Sequence, residues 1–409
     1  SPTNNEFSMS AGAKVRELLS KISWDEITKK RAGNKNSPKK DLTAPTPWCP
    51  EFANVKANET RPLDSRQEAI RDQFRTIVGT MIYLSITVRP DLCPYLNKAC
   101  RGQADPKRLH IVLVERLLMY LNHTANYGLV YKRNGNAVDT QIVAPLADQY
   151  PELRRIKDSK YIMFTDANFA DASDERLRST TGWCLYCYGC LISWKSTRQT
   201  ITAKSTLESE IIAAASASDE ACWFHCLIES LPFCFDFPDG QPPPPVPVLM
   251  DNTAALQTSN HPMTTQASKH LDLRVFRIRD AQGDATALGP DEEKPVPRIR
   301  CYWCPTKANV ADFFSKLLER CDYQRLGRFI VDMPYNASAD VEESTEINYI
   351  LPAVNDWPEY QSQPHQLYLA QSLDSLNYCL KELPSELYMS PDPLDIANFD
   401  PYDILPMSN

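Results

Sequence analysis

Four carboxylates stand where a folded chain rarely places one without a reason. The apolar run Tyr161-Ile162-Met163-Phe164-Thr165 ends on Asp166, and a second run, Val246-Pro247-Val248-Leu249-Met250, ends on Asp251. Between them Ser205-Thr206-Leu207-Glu208-Ser209-Glu210 opens a long Ala-rich helical pattern, and downstream Asn309-Val310-Ala311-Asp312 opens a short one. Acids at the ends of buried strands or on a buried helix stripe are costly unless they are paired or bound to cations. Acids that repel one another persist together mainly when divalent cations neutralise them. Asp, Glu, Asp, Asp on strand, helix, strand and helix therefore suit a magnesium site for phosphodiester chemistry.

Taken singly, most of these acids have a plainer reading. Asp166 and Asp251 can close strands as turn residues. Asp312, three residues after a candidate cap at Asn309, can simply favour a helix N-terminus. Glu208 completes a capping box with Ser205. Glu210 has no such role: Leu207, Glu210, Ile211, Ala214, Ala217 and Ala221 form one continuous stripe, so Glu210 points at the sheet.

The elements that must position these residues follow from pattern. Spacing predicts strands from Ile162 to Asp166, Gly182 to Tyr188 and Leu191 to Lys195, with a short antiparallel hairpin at Tyr188-Gly189-Cys190. A helix is expected from Ser205 to about Leu231. After the stiff Pro-rich connector Gln241 to Pro245, the strand Val246 to Asp251 must cross over to lie parallel to the first. If those two strands are neighbours, Asp166 and Asp251 share one carboxyl edge, where open α/β sheets bind ligands. Asp166, Glu210 and Asp251 are expected to converge, with Asp312 approaching less tightly from a separate helix.

Of 409 residues, 32 are Pro and 12 are Gly, and the first residue is not Met, which reads as a fragment or processed product. No stretch of 18 apolar residues argues for a membrane span, and the polar N-terminus does not argue for a signal peptide. The formal net charge of −8 is unevenly spread. Residues from Tyr335 onward carry 13 Asp and Glu against one Lys, so the body is mildly basic at +4, compatible with a polyanionic ligand. Residues 1–67 read as largely disordered with one short helical candidate around Ala13 to Ile22. Residues 68–133 read as helical, 160–330 as alternating strands and helices, and 335–409 as a solvated acidic tail. The 13 cysteines include Cys184-x-x-Cys187, Cys187-x-x-Cys190 and Cys301-x-x-Cys304. These fall on strands, where residues three apart point to opposite faces, so buried free thiols are expected rather than zinc. Reduced thiols suit an intracellular protein.

Several stretches resemble the ribonuclease H domain of copia-type retrotransposon polyproteins. They are Phe164-Thr165-Asp166-Ala167-Asn168-Phe169-Ala170, Arg178-Ser179-Thr180-Thr181-Gly182, Ile192-Ser193-Trp194-Lys195-Ser196 with Gln199, and the Ser205 to Glu210 box with Ala213. Asp251-Asn252, Lys269-His270-Leu271-Asp272-Leu273-Arg274 and Ala311-Asp312 continue the series. Upstream, Gly79-Thr80-Met81-Ile82-Tyr83-Leu84, Arg89-Pro90-Asp91, His110, and Tyr120-Leu121-Asn122-His123-Thr124 with Gly128-Leu129 resemble the end of the family's reverse transcriptase.

The resemblance implies an RNase H-like α/β fold, a five-stranded mixed sheet with helices on both faces, preceded by a helical thumb or connection remnant. It implies hydrolysis of the RNA strand of RNA–DNA hybrids by Asp166, Glu210, Asp251 and Asp312 holding two Mg2+ ions, for which Mn2+ can substitute. Arg178, Lys195, Arg198, Lys204, Asn252 and His270 are its candidate substrate-binding residues. The implied partners are the hybrid and the rest of the polyprotein, including a polymerase palm and an integrase, with no membrane and with a cytoplasmic particle or nuclear location. Two features depart from the pattern. The loop Cys304-Pro305-Thr306-Lys307-Ala308-Asn309 carries no His, and no Tyr-x-Asp-Asp polymerase tetrad occurs. A degenerate copy that only binds nucleic acid, or another nuclease or transposase on the same fold, remain alternative readings.

Overall fold

The chain is described from a computed structural model covering residues 6–22, 24, 44–48, 61–132, 138–170, 176–231, 242–260, 272–283 and 296–333. The strands among these residues are β1 (Glu6–Ser10), β2 (Gly128–Lys132), β3 (Tyr161–Asn168), β4 (Thr180–Cys187), β5 (Cys190–Arg198), β6 (Val246–Met250) and β7 (Ile299–Trp303). The α-helices are α1 (Gly12–Lys21), α2 (Ser65–Asp72), α3 (Phe74–Thr87), α4 (Cys93–Cys100), α5 (Arg108–His123) and α6 (Ala144–Gln149) in the first half. The second half adds α7 (Thr206–Ser230), α8 (Thr253–Asn260), α9 (Asp272–Ala281), α10 (Asp312–Ser315) and α11 (Arg320–Gly327).

Five strands form one sheet in the order β5-β4-β3-β6-β7. β4 runs antiparallel to β3 and β5, and β6 and β7 run parallel to β3. This is the RNase H-like arrangement, with the two acid-bearing strands β3 and β6 side by side at its centre. The β4–β5 hairpin turns on two residues, Tyr188 (φ 49°) and Gly189 (φ 69°). Both are left-handed, the conformation that a tight two-residue connection requires.

Alternation along the strands separates two cores. Tyr161, Met163, Trp183, Leu185, Val248 and Cys301 pack on one face with Ile211, Ala214, Ala217, Ala221 and Phe224 of α7. Ile162, Phe164, Cys184, Tyr186, Leu249 and Cys304 pack on the other face with α10, α11 and the helices of residues 65–123. Cys184 and Cys187 therefore lie on opposite faces, as do Cys301 and Cys304. Cys187 and Cys190 differ from the expectation: they flank the turn as directly opposed partners, not as neighbours along one strand.

Residues 68–133 and 160–330, divided by composition, share the second of these cores. Trp194 Nε1 on β5 donates to the Ser85 carbonyl of α3 at 2.9 Å, and the Tyr95 hydroxyl of α4 donates to the Leu318 carbonyl at 2.7 Å. At the N-terminus β1 departs from the expectation of disorder, while α1 falls on the helical candidate around Ala13 to Ile22. β1 pairs with β2 because Gly128 lets the strands close: a Cβ there would lie 2.0 Å from the Met9 carbonyl oxygen. Val15, Leu18, Leu19 and Ile22 of and after α1 are buried in the same core. Their apolar contribution, about 1.5–3 kcal/mol per fully buried side chain, offsets the cost of ordering a segment that is otherwise polar. The acidic tail from residue 335 lies outside the described residues.

Candidate metal and nucleic-acid site

Asp166 lies within β3, two residues before its end, on the face shared by Ile162 and Phe164. Its cross-strand partner is Gly182. A Cβ on Gly182 would stand 2.5 Å from the Ser315 backbone nitrogen and 2.9 Å from the Ala311 carbonyl oxygen, so the bare glycine lets α10 rest directly on the sheet. Asn309, fully buried, ties this contact down. Its amide donates to the Thr165 carbonyl at 3.0 Å, and its side-chain oxygen accepts from Ala311 N–H at 3.2 Å. α10 thus brings Asp312 to Asp166, while β6 brings Asp251 from the neighbouring parallel strand.

Carboxylate oxygens of Asp166, Asp251 and Asp312 all lie within 4.8 Å of one another. Glu210 is buried on α7 as its stripe predicts, but its carboxyl stays outside this trio. It accepts instead from the backbone N–H of Ala167, next to Asp166. Asp312, from its separate helix, stands within that trio. Lys316 bridges two of these acids. Its ammonium donates to Asp312 at 2.7 Å and sits 3.4 Å from Asp166, drawing the two together, while the Ser315 hydroxyl also donates to Asp166.

The electrostatics mark a cluster short of positive charge. Burial, then the charges of Asp166 and Asp251, push the Glu210 carboxyl up to about 9. Burial and Asp166 push Asp312 up to about 7, and Asp251 is raised by the same two causes, partly offset by a hydrogen bond from Thr306. Burial would lower Lys316, but Asp166 and Asp312 more than reverse this and hold it above the usual lysine range. Closely spaced, buried oxygen donors with too few counter-charges fit a hard divalent cation such as Mg2+.

No family model matches the chain. The Pol polyprotein from transposon TNT 1-94 of Nicotiana tabacum is 24% identical over 312 residues, 76% of this chain. The chain is similar to retrotransposon Pol polyproteins over 62–76% of its length. It spans 20% of that tobacco polyprotein's length. A relative from Plasmopara viticola, named secreted RxLR effector protein 161, is 30% identical over 150 residues, 37% of this chain and 89% of that one. Among solved structures, an RNase H1 isolated from compost is 15% identical, covering 37% of this chain and 90% of that one with a TM-score of 0.27.

The substrate-side expectations divide. Arg198 ends β5 opposite Thr180, and Arg178 and Lys204 precede β4 and α7, so all three sit at the sheet end that holds Asp166. Lys195 does not share the face of Asp166. It pairs across the sheet with Trp183, lies over that ring at 5.9 Å and reaches Ser216 of α7, all on the opposite face, because strand residues alternate. Asn252 caps α8, its side-chain oxygen accepting from Ala255 N–H at 3.0 Å, which gives it a structural role. His270 lies outside the described residues. Glu208 is also corrected: it is buried, and its carboxyl accepts from Lys204 N–H at 2.6 Å, one residue before the Ser205 cap, so the box is only half formed.

Sequence reasoning missed Lys316, Ser315 and Thr306. Lys316 carried a signal, since residues four apart on a helix meet, and Asp312 with Lys316 has that spacing. No helix among the described residues is long and apolar enough to cross a membrane.

Proposed function

We propose that this chain carries the ribonuclease H of a copia-type retroelement and hydrolyses the RNA strand of RNA–DNA hybrids with two Mg2+ ions. The observation that carries this reading is the convergence of Asp166, Asp251 and Asp312 at one sheet edge, with Glu210 coupled to them by charge. Bound magnesium supplies the positive charge that activates a water and stabilises the leaving 3′ oxygen. Asp166, Asp251, Asp312 and Glu210 are the residues to hold it.

The rest of the work falls to the protein. Ser315 and Asn309 fix α10 against β3, so the Asp166–Asp312 spacing is set before substrate arrives. Thr306 orients Asp251 from the loop that lacks a histidine. Arg178, Arg198 and Lys204 offer backbone phosphates a positive rim, and hybrid recognition runs through shape and the RNA 2′-hydroxyl rather than base edges. The polymerase palm and integrase of the polyprotein are the natural partners, in an intracellular particle or the nucleus. The test is magnesium-dependent cleavage of an end-labelled RNA–DNA hybrid by the full chain. Cleavage that survives EDTA, or that prefers duplex DNA, overturns the reading.

A further inference from the structure

We propose that Lys316 is a built-in cation of the acidic site: its ammonium holds Asp166 and Asp312 together when no divalent ion is bound, and it must leave those oxygens before one can bind. The inference rests on the metal-dependent reading of the same four acids and adds a competitor to it.

Three observations support it. First, the ammonium bridges two members of the trio, 2.7 Å from Asp312 Oδ1 and 3.4 Å from Asp166 Oδ2, and so stands among the oxygens a metal needs. A magnesium ion takes carboxylate oxygens at about 2.0–2.1 Å, leaving no room for an ammonium on the same lone pairs. A positive charge held about 4 Å from a divalent ion would also repel it strongly in a partly buried site. Second, Lys316 has somewhere to go. It is the residue just past the end of α10, with extended backbone, and its side chain is 35% exposed while those of Asp166 and Asp312 are 2% and 12% exposed. A flexible four-carbon stem lets the charge swing outward without moving the helix. Third, no other salt bridge engages Asp166 or Asp312 among the described residues. Without Lys316, two buried acids would face each other with only the Ser315 hydroxyl and backbone dipoles between them.

The consequence is an exchange between two occupied states. The site stays assembled without metal, and metal binds more weakly by the work of expelling the ammonium. Removing the charge should therefore move two properties in opposite directions. A lysine that merely braces α10 would weaken both.

The experiment uses the full chain with Lys316→Met, Lys316→Gln and Lys316→Arg. Mn2+ is titrated calorimetrically, and melting temperature is measured in EDTA. Lys316→Met should bind Mn2+ about tenfold tighter than wild type and melt lower in EDTA, with Mn2+ restoring the loss. Lys316→Arg, which keeps the charge, should bind Mn2+ no tighter than wild type. If the Met variant does not fold in EDTA, Lys316→Gln keeps a polar head and reads the same affinity. Wild-type binding with no tightening in either neutral variant overturns the Lys316 inference and leaves the metal site standing. Absence of Mn2+ binding in wild type and all variants overturns the metal reading, and this inference with it.

Discussion

Two clusters of buried charge among the described residues are built on opposite principles. Arg89 and Asp91 are both fully buried beside the sheet, paired at 2.8 Å. Every guanidinium nitrogen has a partner: Nε and Nη2 reach Asp91, Nη1 reaches the Thr124 carbonyl at 2.8 Å, and Nη2 also reaches the Thr124 hydroxyl. Tyr120 donates to the Asp91 carboxylate at 2.7 Å, and Tyr323 of α11 donates to the Asp91 carbonyl at 3.1 Å. Burial alone would lower Arg89, yet Asp91 overcomes this and holds it above the usual arginine range. The acidic edge has four carboxyls and one shared ammonium, and three of those carboxyls are raised. A balanced buried pair locks elements together; an unbalanced one is strained until something positive arrives. The first cluster is scaffold, and the second is the place to look for chemistry.

The same substitution in both clusters breaks or confirms the contrast. Asp166→Asn should cut hybrid cleavage by roughly 10²–10³-fold or more while leaving the melting temperature in EDTA unchanged or raised, because it removes one of the repelling charges. Asp91→Asn should instead cost about 3–5 kcal/mol of stability, since it strands a buried guanidinium. Chemical denaturation beside the cleavage assay reads both. Equal destabilisation by the two would mean that the acidic edge is structural.

The N-terminal segment belongs to the scaffold side of the comparison. Leu18→Ala should cost about 2–5 kcal/mol, as a buried leucine truncated in a packed core does. A denaturation midpoint that does not move would return residues 6–22 to the status of a loose extension. Gly182→Ala links the two regions, because the added methyl meets the backbone of α10. It should cost about 1–3 kcal/mol and also lower cleavage by displacing Asp312, whereas a purely steric loss would leave the turnover of folded protein intact.

A smaller effect concerns pH. The Glu210 carboxyl titrates at about 9 in the folded chain against an ordinary value of 4.5. Its folded pKa is raised, so its contribution is fully present below the unfolded value and is lost as pH climbs toward 9. In EDTA the melting temperature should fall across that window, and Glu210→Gln should flatten the slope. Parallel profiles for the two proteins would remove Glu210 from the charge-deficient cluster. Glu208→Gln should change stability by under about 0.5 kcal/mol, since glutamine can still accept from Lys204 N–H.

The chain's local periodicities already specify much of the architecture. The alternation through Tyr161 to Phe164 and the stripe from Leu207 to Ala221 need only the two-residue strand repeat and the 3.6-residue helix repeat. With the crossover to Val246, they place the acids on β3, α7 and β6 and imply that Asp166 and Asp251 are neighbours. What they cannot supply is distance between elements. Whether Asp312 reaches Asp166 depends on a glycine contact between Gly182 and Ser315, more than a hundred residues apart. Which face Lys195 takes depends on the register of β5 against β4, and a one-residue slip would reverse it. Lys316 becomes part of the site only because α10 lies flat on the sheet. Side-chain direction within an element is a local property and can be read along the chain. The close approach of elements is a property of the packed whole, and tertiary structure alone decides it.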